Sequence, residues 1–232
     1  MPPDQALEWS VVRVSGPDAL SYLQSQLSQD LEGLDAERRW SLLLNPDGTV
    51  VTAGRVRRVA SHYEFIVERA TGEDALARLR RFHLRSACTV ELHESAEGPI
   101  ARVADLVERL WPGSREWAAH LAPQSYGADV VAAAVSFTKG CFTGQELVGR
   151  LDARGASVPW RLVRLAGPSL ERLDEVARLK GPAGPQGVTT AIQRAEGVEA
   201  LALVHRTLLD PAVLAEIHDV HVTTTTPGRG AG

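Results

Sequence analysis

The sequence predicts an α+β protein with a large antiparallel-sheet domain and a smaller β-rich domain at its C-terminal end. Three observations carry this: a strand–helix–three strands–helix–strand order over residues 9–94, turn signals between the middle strands, and closely spaced short strands after residue 159.

WSVVRV at 9–14 reads as the first strand. Ser15, Pro17 and Asp18 then offer an N-cap, a first-turn proline and an acidic third position, so a helix follows. Its apolar positions Ala19, Leu20, Leu23 and Leu27 recur every three or four residues, which turns one face inward and leaves Gln24, Ser28 and Asp30 in water. Residues 38–68 form an antiparallel meander, with Asn45-Pro46-Asp47-Gly48 as the turn after its first strand and YEFIVE as its last strand. A second helix spans 71–82, with Thr71 as its cap and Leu76, Leu79 and Phe82 spaced for burial; ACTVELHE closes the unit as a strand.

Residues 98–126 mix a helical period, IARVADLVERLW, with prolines and glycines, and read as a connecting or lid segment. Residues 128–135 suit either a helix or a buried strand. After the short helix GQELVGRLDA come strands in WRLVRLAG, GVTTAIQR, EALALVHR and HDVHVTT, a spacing that suits a small barrel or sandwich. The expected domains are 1–158, with its middle segment at about 98–127, and 159–222, followed by a flexible tail at 223–232 that has nothing to bury.

With 232 residues the chain can bury a core of its own. A 44% hydrophobic and 23% charged composition is ordinary for a globular protein, and a net charge of -4 gives no global attraction to nucleic acid or membrane. No run approaches the roughly 20 apolar residues of a membrane span, and MPPDQALEWS lacks the basic and apolar regions of a signal peptide, so a cytoplasmic location is expected. Cys88 and Cys141 match no zinc spacing and are expected as free thiols. The scattered histidines, His218 and His221 included, make no metal set, and GPAGPQG lacks the lysine and helix of a phosphate loop.

Cys141 sits in SFTKGCFTGQE at 136–146. Thr143 and Glu146 fit a reciprocal capping box, which would place the thiol at the positive end of a helix with Lys139 two residues away; both influences favour thiolate. A second reading has the cysteine simply buried, Glu146 only capping, and Gly140 and Gly144 only relieving the backbone.

Lys139-Gly140-Cys141-Phe142-Thr143-Gly144-Gln145-Glu146 resembles the K-G-C-[YF]-x-G-Q-E signature of YgfZ-type folate-binding proteins, relatives of the glycine-cleavage T protein. Arg154-Gly155, the opening WSVVRVSGPDALSYLQSQLSQD, and the strands GVTTAIQR and EALALVHR fit the same family. The resemblance implies an aminomethyltransferase-type fold with a small C-terminal β-barrel and a three-part body around a folate channel. It also implies tetrahydrofolate as ligand and support of iron–sulfur cluster assembly or repair, and so of cluster-dependent tRNA modification. Folate and iron–sulfur enzymes or cluster-assembly proteins would be the partners, with tRNA engaged indirectly and no membrane.

On that resemblance Cys141 is the thiolate that exchanges with a sulfur, a cluster fragment or an oxidised adduct, and Lys139 lowers its pKa. Gln145 and Arg154 hold polar groups or the ligand, and Trp9 contacts folate; from its own sequence context Trp9 serves equally as a core anchor. Thr52-Ala53 stands where transferring T proteins carry an acidic pair, and neither side chain can stabilise a developing cation, so aminomethyl transfer is not expected. The region between Glu94 and Pro112 is too short for the full second domain of longer relatives. Arg38, Arg39, Arg55, Arg57 and Arg58 form a basic cluster that suits a folate glutamate tail, an RNA backbone or a solvated strand face. Arg78, Arg80, Arg81 and Arg85 are read as surface residues. A one-carbon transferase using another acid or base, and a tRNA- or partner-docking module, stand as alternatives.

Overall fold

The computed structural model describes residues 5–34, 38–153 and 158–224. The chain divides into two compact units. One comprises Leu7–Pro99 with Val130–Arg150; the other gathers Ile100–Asp129 with the chain from Leu151 onward. Residues 100–129, expected in the first domain, thus belong with the C-terminal strands.

The first unit contains β1 (Trp9–Ser15), α1 (Ala19–Gln26), β2 (Arg39–Leu44), β3 (Val50–Val59), β4 (His62–Glu68), α2 (Gly72–Arg81) and β5 (Thr89–Ser95). The strands form one antiparallel sheet in the order β2-β3-β4-β1-β5. Central β1 and β4 are buried along most of their length, including the polar Ser10 and Glu64. Val12, Val14, Phe65 and Val67 from the sheet meet Leu23, Leu27, Leu76 and Leu79 in one core. The turn between β2 and β3 is the expected one: Gly48 N–H donates to Asn45 O, Asn45 N–H to Thr49 O, and Gly48 takes a φ of +86°.

Three local expectations change in this unit. α1 starts at Ala19 rather than straight after Ser15 and has no side-chain cap; Gly16 makes a turn at φ +123°, and the Asp18 carboxylate accepts from the Ala87 amide at 2.7 Å. Ser28 is fully buried, because its hydroxyl accepts from Leu42 N–H at 2.8 Å and donates to Ala134 O at 2.6 Å. In α2 the roles of two residues are exchanged: Arg78 is buried and Phe82, just past the helix end, is 40% exposed with its ring 4.2 Å from the Arg78 guanidinium.

Trp9 is buried at the start of β1. Gly98 lies against its indole so closely that a Cβ there would fall 2.0 Å from three ring atoms.

Beyond β5 the chain forms α3 (Val103–Arg109), α4 (Ser114–Trp117), α5 (Ala128–Ala134), α6 (Gln145–Ala153), β6 (Trp160–Gly167), α7 (Leu170–Ala177), β7 (Gly187–Arg194), β8 (Gly197–His205), α8 (Pro211–Leu214) and β9 (His221–Thr224). In the second unit the strands pair antiparallel in the order β7-β8-β6-β9, and α7 packs on the sheet through Leu173, Val176 and Ala177. The expected connecting segment is instead structured. The fully buried Glu116 carboxylate accepts from Gly113 N–H at 2.8 Å and from the Thr189 hydroxyl on β7, and Tyr126 OH donates to Glu116 O at 3.0 Å. Burial holds the Glu116 carboxyl above its ordinary range, although hydrogen bonds from Thr189, Thr190 and Gly113 pull the other way. Most of the expected tail, from residue 225, lies outside the described residues.

Gly98→Ala should therefore cost about 1–3 kcal/mol, because the added methyl forces the Trp9 ring from its seat. Urea unfolding measures it; wild-type stability in the variant would refute the close packing.

Candidate functional site

The segment between α5 and α6 lies in the first unit and is fixed to one end of α1. Helix α1 has no basic residue in its last turn, so the carbonyls there lack a local cation. Lys139 supplies it from more than a hundred residues away. Its Nζ donates to Gln24 O at 2.7 Å, Leu27 O at 2.8 Å and Gln29 O at 3.1 Å, which uses all three ammonium protons. The ammonium also lies 5.3 Å from the centre of the Phe142 ring.

A second tie follows four residues later. Thr143 N–H donates to Ser25 O at 2.9 Å, and its hydroxyl lies 3.4 Å from both Ser25 O and the Gln26 side-chain oxygen. Upstream, Ser136 N–H donates to Ser28 O at 2.9 Å. Phe142 is buried, whereas Gly140 and Cys141 between the anchors are exposed. Cys141 is a free thiol, as is the buried Cys88, whose pKa burial raises.

The expected capping box is absent. α6 begins at Gln145, whose side-chain oxygen accepts from Phe142 N–H, ahead of the helix, at 3.2 Å. Thr143 is occupied with α1, and Glu146 instead pairs with Arg150 one turn on, at 2.6 Å. Gly144 is needed by the fold: it has φ +83°, and a Cβ there would lie 2.6 Å from Asn45 O. Gly140 is different, since a Cβ would meet nothing within 4 Å and its φ is not positive.

Between this segment and α6 lies a cavity of about 320 Å³, walled by Phe137, Lys139, Phe142, Gln145 and Arg150 among others. Phe137 is half exposed at its edge. The volume falls at the lower end of the range for small-molecule sites, and the lining mixes aromatic, amide and charged side chains.

Burial pulls the Lys139 ammonium down to about 8, with the nearby Asp30 charge acting against it. Asp30 itself is held below the usual carboxylate range, first by the Glu32 amide and then by the Gln24 side chain.

The remaining expected residues divide clearly. Trp9 is buried under Gly98 and is not among the residues of this cavity wall. Arg154 and Gly155 lie outside the described residues. Thr52 and Ala53 are both buried, and the Thr52 hydroxyl lies 2.8 Å from that of Thr71. The basic cluster is largely spent on internal partners: Arg57 pairs with Glu64 at 2.7 Å, Arg38 with Glu97 at 3.0 Å, Arg39 donates to Asp30 O, and Arg55 lies over Trp40. Sequence reading missed Gln26, Ser28 and Arg78, whose partners are distant in the chain.

No family model matches the chain. Among curated proteins it is similar to the tRNA-modifying protein YgfZ of Klebsiella pneumoniae, at 23% identity over 91% of this chain and 87% of that one. The likeness is to YgfZ. The YgfZ of Yersinia pestis is 24% identical over 65% of this chain and 66% of its own length, and an uncharacterized protein of Haemophilus influenzae is 24% identical over 65% and 68%. Among solved structures the chain matches the glycine cleavage system aminomethyltransferase T of Bartonella henselae with a TM-score of 0.56, over 94% of this chain and 83% of that one. At 11% identity that match speaks for the fold alone. The YgfZ likeness agrees with the signature at 139–146, and the structural match agrees with the expected aminomethyltransferase-type fold. No described helix is long and apolar enough to cross a membrane.

The lysine tie has a pH signature. Because the folded-state value lies below the ordinary 10.5, the folded protein releases this proton first as pH rises, the unfolded chain then holds more protons, and the Lys139 contribution to stability increases between about pH 8 and 10.5. Titration of the Lys139 side-chain carbon by NMR should show a midpoint near 8; a midpoint at the ordinary value would contradict the burial of this ammonium.

Proposed function

We propose that the chain is a tetrahydrofolate-binding accessory protein that supports iron–sulfur cluster assembly or repair, and through it tRNA modification, with Cys141 as its reactive group. The observation that carries this reading is the exposed Cys141 thiol, held between Lys139 and Thr143, which are both tied to α1 and the turn after it, in a segment whose Lys139 and Phe142 wall a cavity of about 320 Å³. The name of the Klebsiella and Yersinia relatives, tRNA-modifying protein, supports the modification half, and the folate half rests on the resemblance carried by residues 139–146.

The cavity beside α6 suits the flat ring of a reduced pterin in size and lining. Phe137 and Phe142 would face its plane, and Gln145 would meet its polar edge. A reduced folate, when bound, supplies a carrier for one-carbon units; the chain's own residues would bind and orient it. Trp9 serves here as a core anchor, so the reading rests on the cavity rather than on the indole. Lys139 acts on the thiol indirectly, by holding the segment that bears it, since its three donors are committed to α1. The exposed Cys141 thiol would be the point at which iron–sulfur cargo is met.

Aminomethyl transfer is disfavoured by Thr52-Ala53, neither of which can stabilise a developing cation or take a proton near neutral pH. An RNA-docking face is disfavoured by the internal pairing of Arg38, Arg39 and Arg57.

Calorimetric titration with tetrahydrofolate tests the ligand. Binding with quenching of protein fluorescence is expected at sub-millimolar concentration, and absence of both removes folate from the proposal. Cys141→Ala tests the thiol: in a strain deleted for the gene and complemented with the variant, activity of cluster-dependent enzymes should fall to that of the deletion. Full activity in that strain would exclude the cysteine.

A further inference from the structure

Arg78 carries a buried charge, and the titratable groups that act on it are Tyr22 and Arg81. The residue is only 6% exposed, and among the described residues no carboxylate pairs with it. One guanidinium nitrogen, Nη1, donates to the Gln26 side-chain oxygen at 3.2 Å, and the Phe82 ring covers the flat face. The other two, Nε and Nη2, are buried and have no hydrogen-bond partner among the described residues. Burying a guanidinium in this way is costly, because an unpaired charge loses its hydration and gains no counter-charge.

The two empty donors are the ones that form a parallel fork along one edge of the guanidinium, the geometry that takes two oxygens of one carboxylate or phosphate. The same molecule uses that edge elsewhere. Arg172 donates from Nε to one Asp219 oxygen at 2.8 Å and from Nη2 to the other at 3.0 Å, and Arg80 places both atoms on Val90 O at 3.1 and 2.9 Å. Arg78 has the fork and lacks the acceptor.

We infer that Arg78 is an anion-binding residue whose Nε/Nη2 fork takes a small oxyanion, a carboxylate or a phosphate group, beside the Phe82 ring. The surroundings suit such a ligand. Tyr22 is the nearest group of opposite sign on deprotonation, but burial keeps its phenol protonated far above neutral pH, and its hydroxyl already donates to Leu79 O. Arg81, the other charged neighbour, is itself a cation, so the local charge is positive. Desolvation lowers the pKa of Arg78, which is the direction expected of a cation still waiting for its partner. Gln26 links this site to the Cys141 segment, because its side-chain oxygen also lies 3.4 Å from the Thr143 hydroxyl.

The test is a titration of the full chain, uniformly labelled with nitrogen-15, with inorganic phosphate and separately with acetate, each exchanged against chloride at constant ionic strength. The Arg78 Nε–H resonance is the readout, assigned by its loss in Arg78→Lys. A saturable shift with a millimolar or tighter midpoint is expected for at least one anion, and the anion that gives it tells phosphate from carboxylate. Arg78→Lys keeps a charge but loses the fork, so the same titration followed by backbone amides of Gln26 and Thr143 should show at least a tenfold weaker midpoint. Equal binding by wild type and Arg78→Lys, or no saturable shift with either anion, would overturn the inference. If the lysine variant does not fold, the resonance is assigned by through-bond correlation to the Arg78 side chain, and the wild-type titration alone decides.

Discussion

The candidate site depends on one interaction, the bonding of the Lys139 ammonium to three carbonyls at the end of α1. A helix end leaves backbone acceptors without partners, and a buried cation loses its water. Each offsets the cost of the other here. The pairing also has a geometric effect: it fixes the chain at residue 139, Thr143 fixes it again at Ser25, and of the three residues between, Phe142 turns inward while Gly140 and Cys141 face solvent. Exposure of the thiol follows from the anchors on either side of it. Phe142 completes the arrangement, since its ring is buried and lies against the ammonium while its backbone N–H donates to the Gln145 side chain.

Glycine use supports this view of the segment. Gly144 is demanded from within, by a positive φ and by the Asn45–Gly48 turn against it. Gly140 answers to no such demand, and its open surroundings leave space beside the thiol for a partner surface to approach the backbone. α1 and the β2–β3 turn thus form the base from which the exposed Gly140–Cys141 stretch is presented.

Much of the fold was legible because it is written in local periods. β1, β3 and β4, the Asn45–Gly48 turn, α1 and α2 all follow from apolar spacing and turn chemistry close in sequence. What escaped depends on partners far along the chain. Ser28 looks like a wet helix-end residue until Ala134 supplies a carbonyl to it. Thr143 and Glu146 spell a capping box, yet Ser25 engages the threonine and Arg150 the glutamate. The period of α2 sends Phe82 inward, but the helix ends at Arg81 and the ring turns over Arg78 instead. Residues 100–129 look like a connector because their prolines and glycines interrupt every period, while the contact that orders them, Glu116 to Thr189, spans more than seventy residues. For the site itself, Cys141 and its signature were visible in the sequence; the reason Lys139 stands beside it was not.

Native-state alkylation of the two cysteines, followed by mass spectrometry, tests this account most directly. Cys141 should react at the rate of an open thiol in the folded protein while Cys88, buried in the core, reacts only as the protein unfolds. If Cys141 proves as protected as Cys88, the segment does not present its thiol and the account fails.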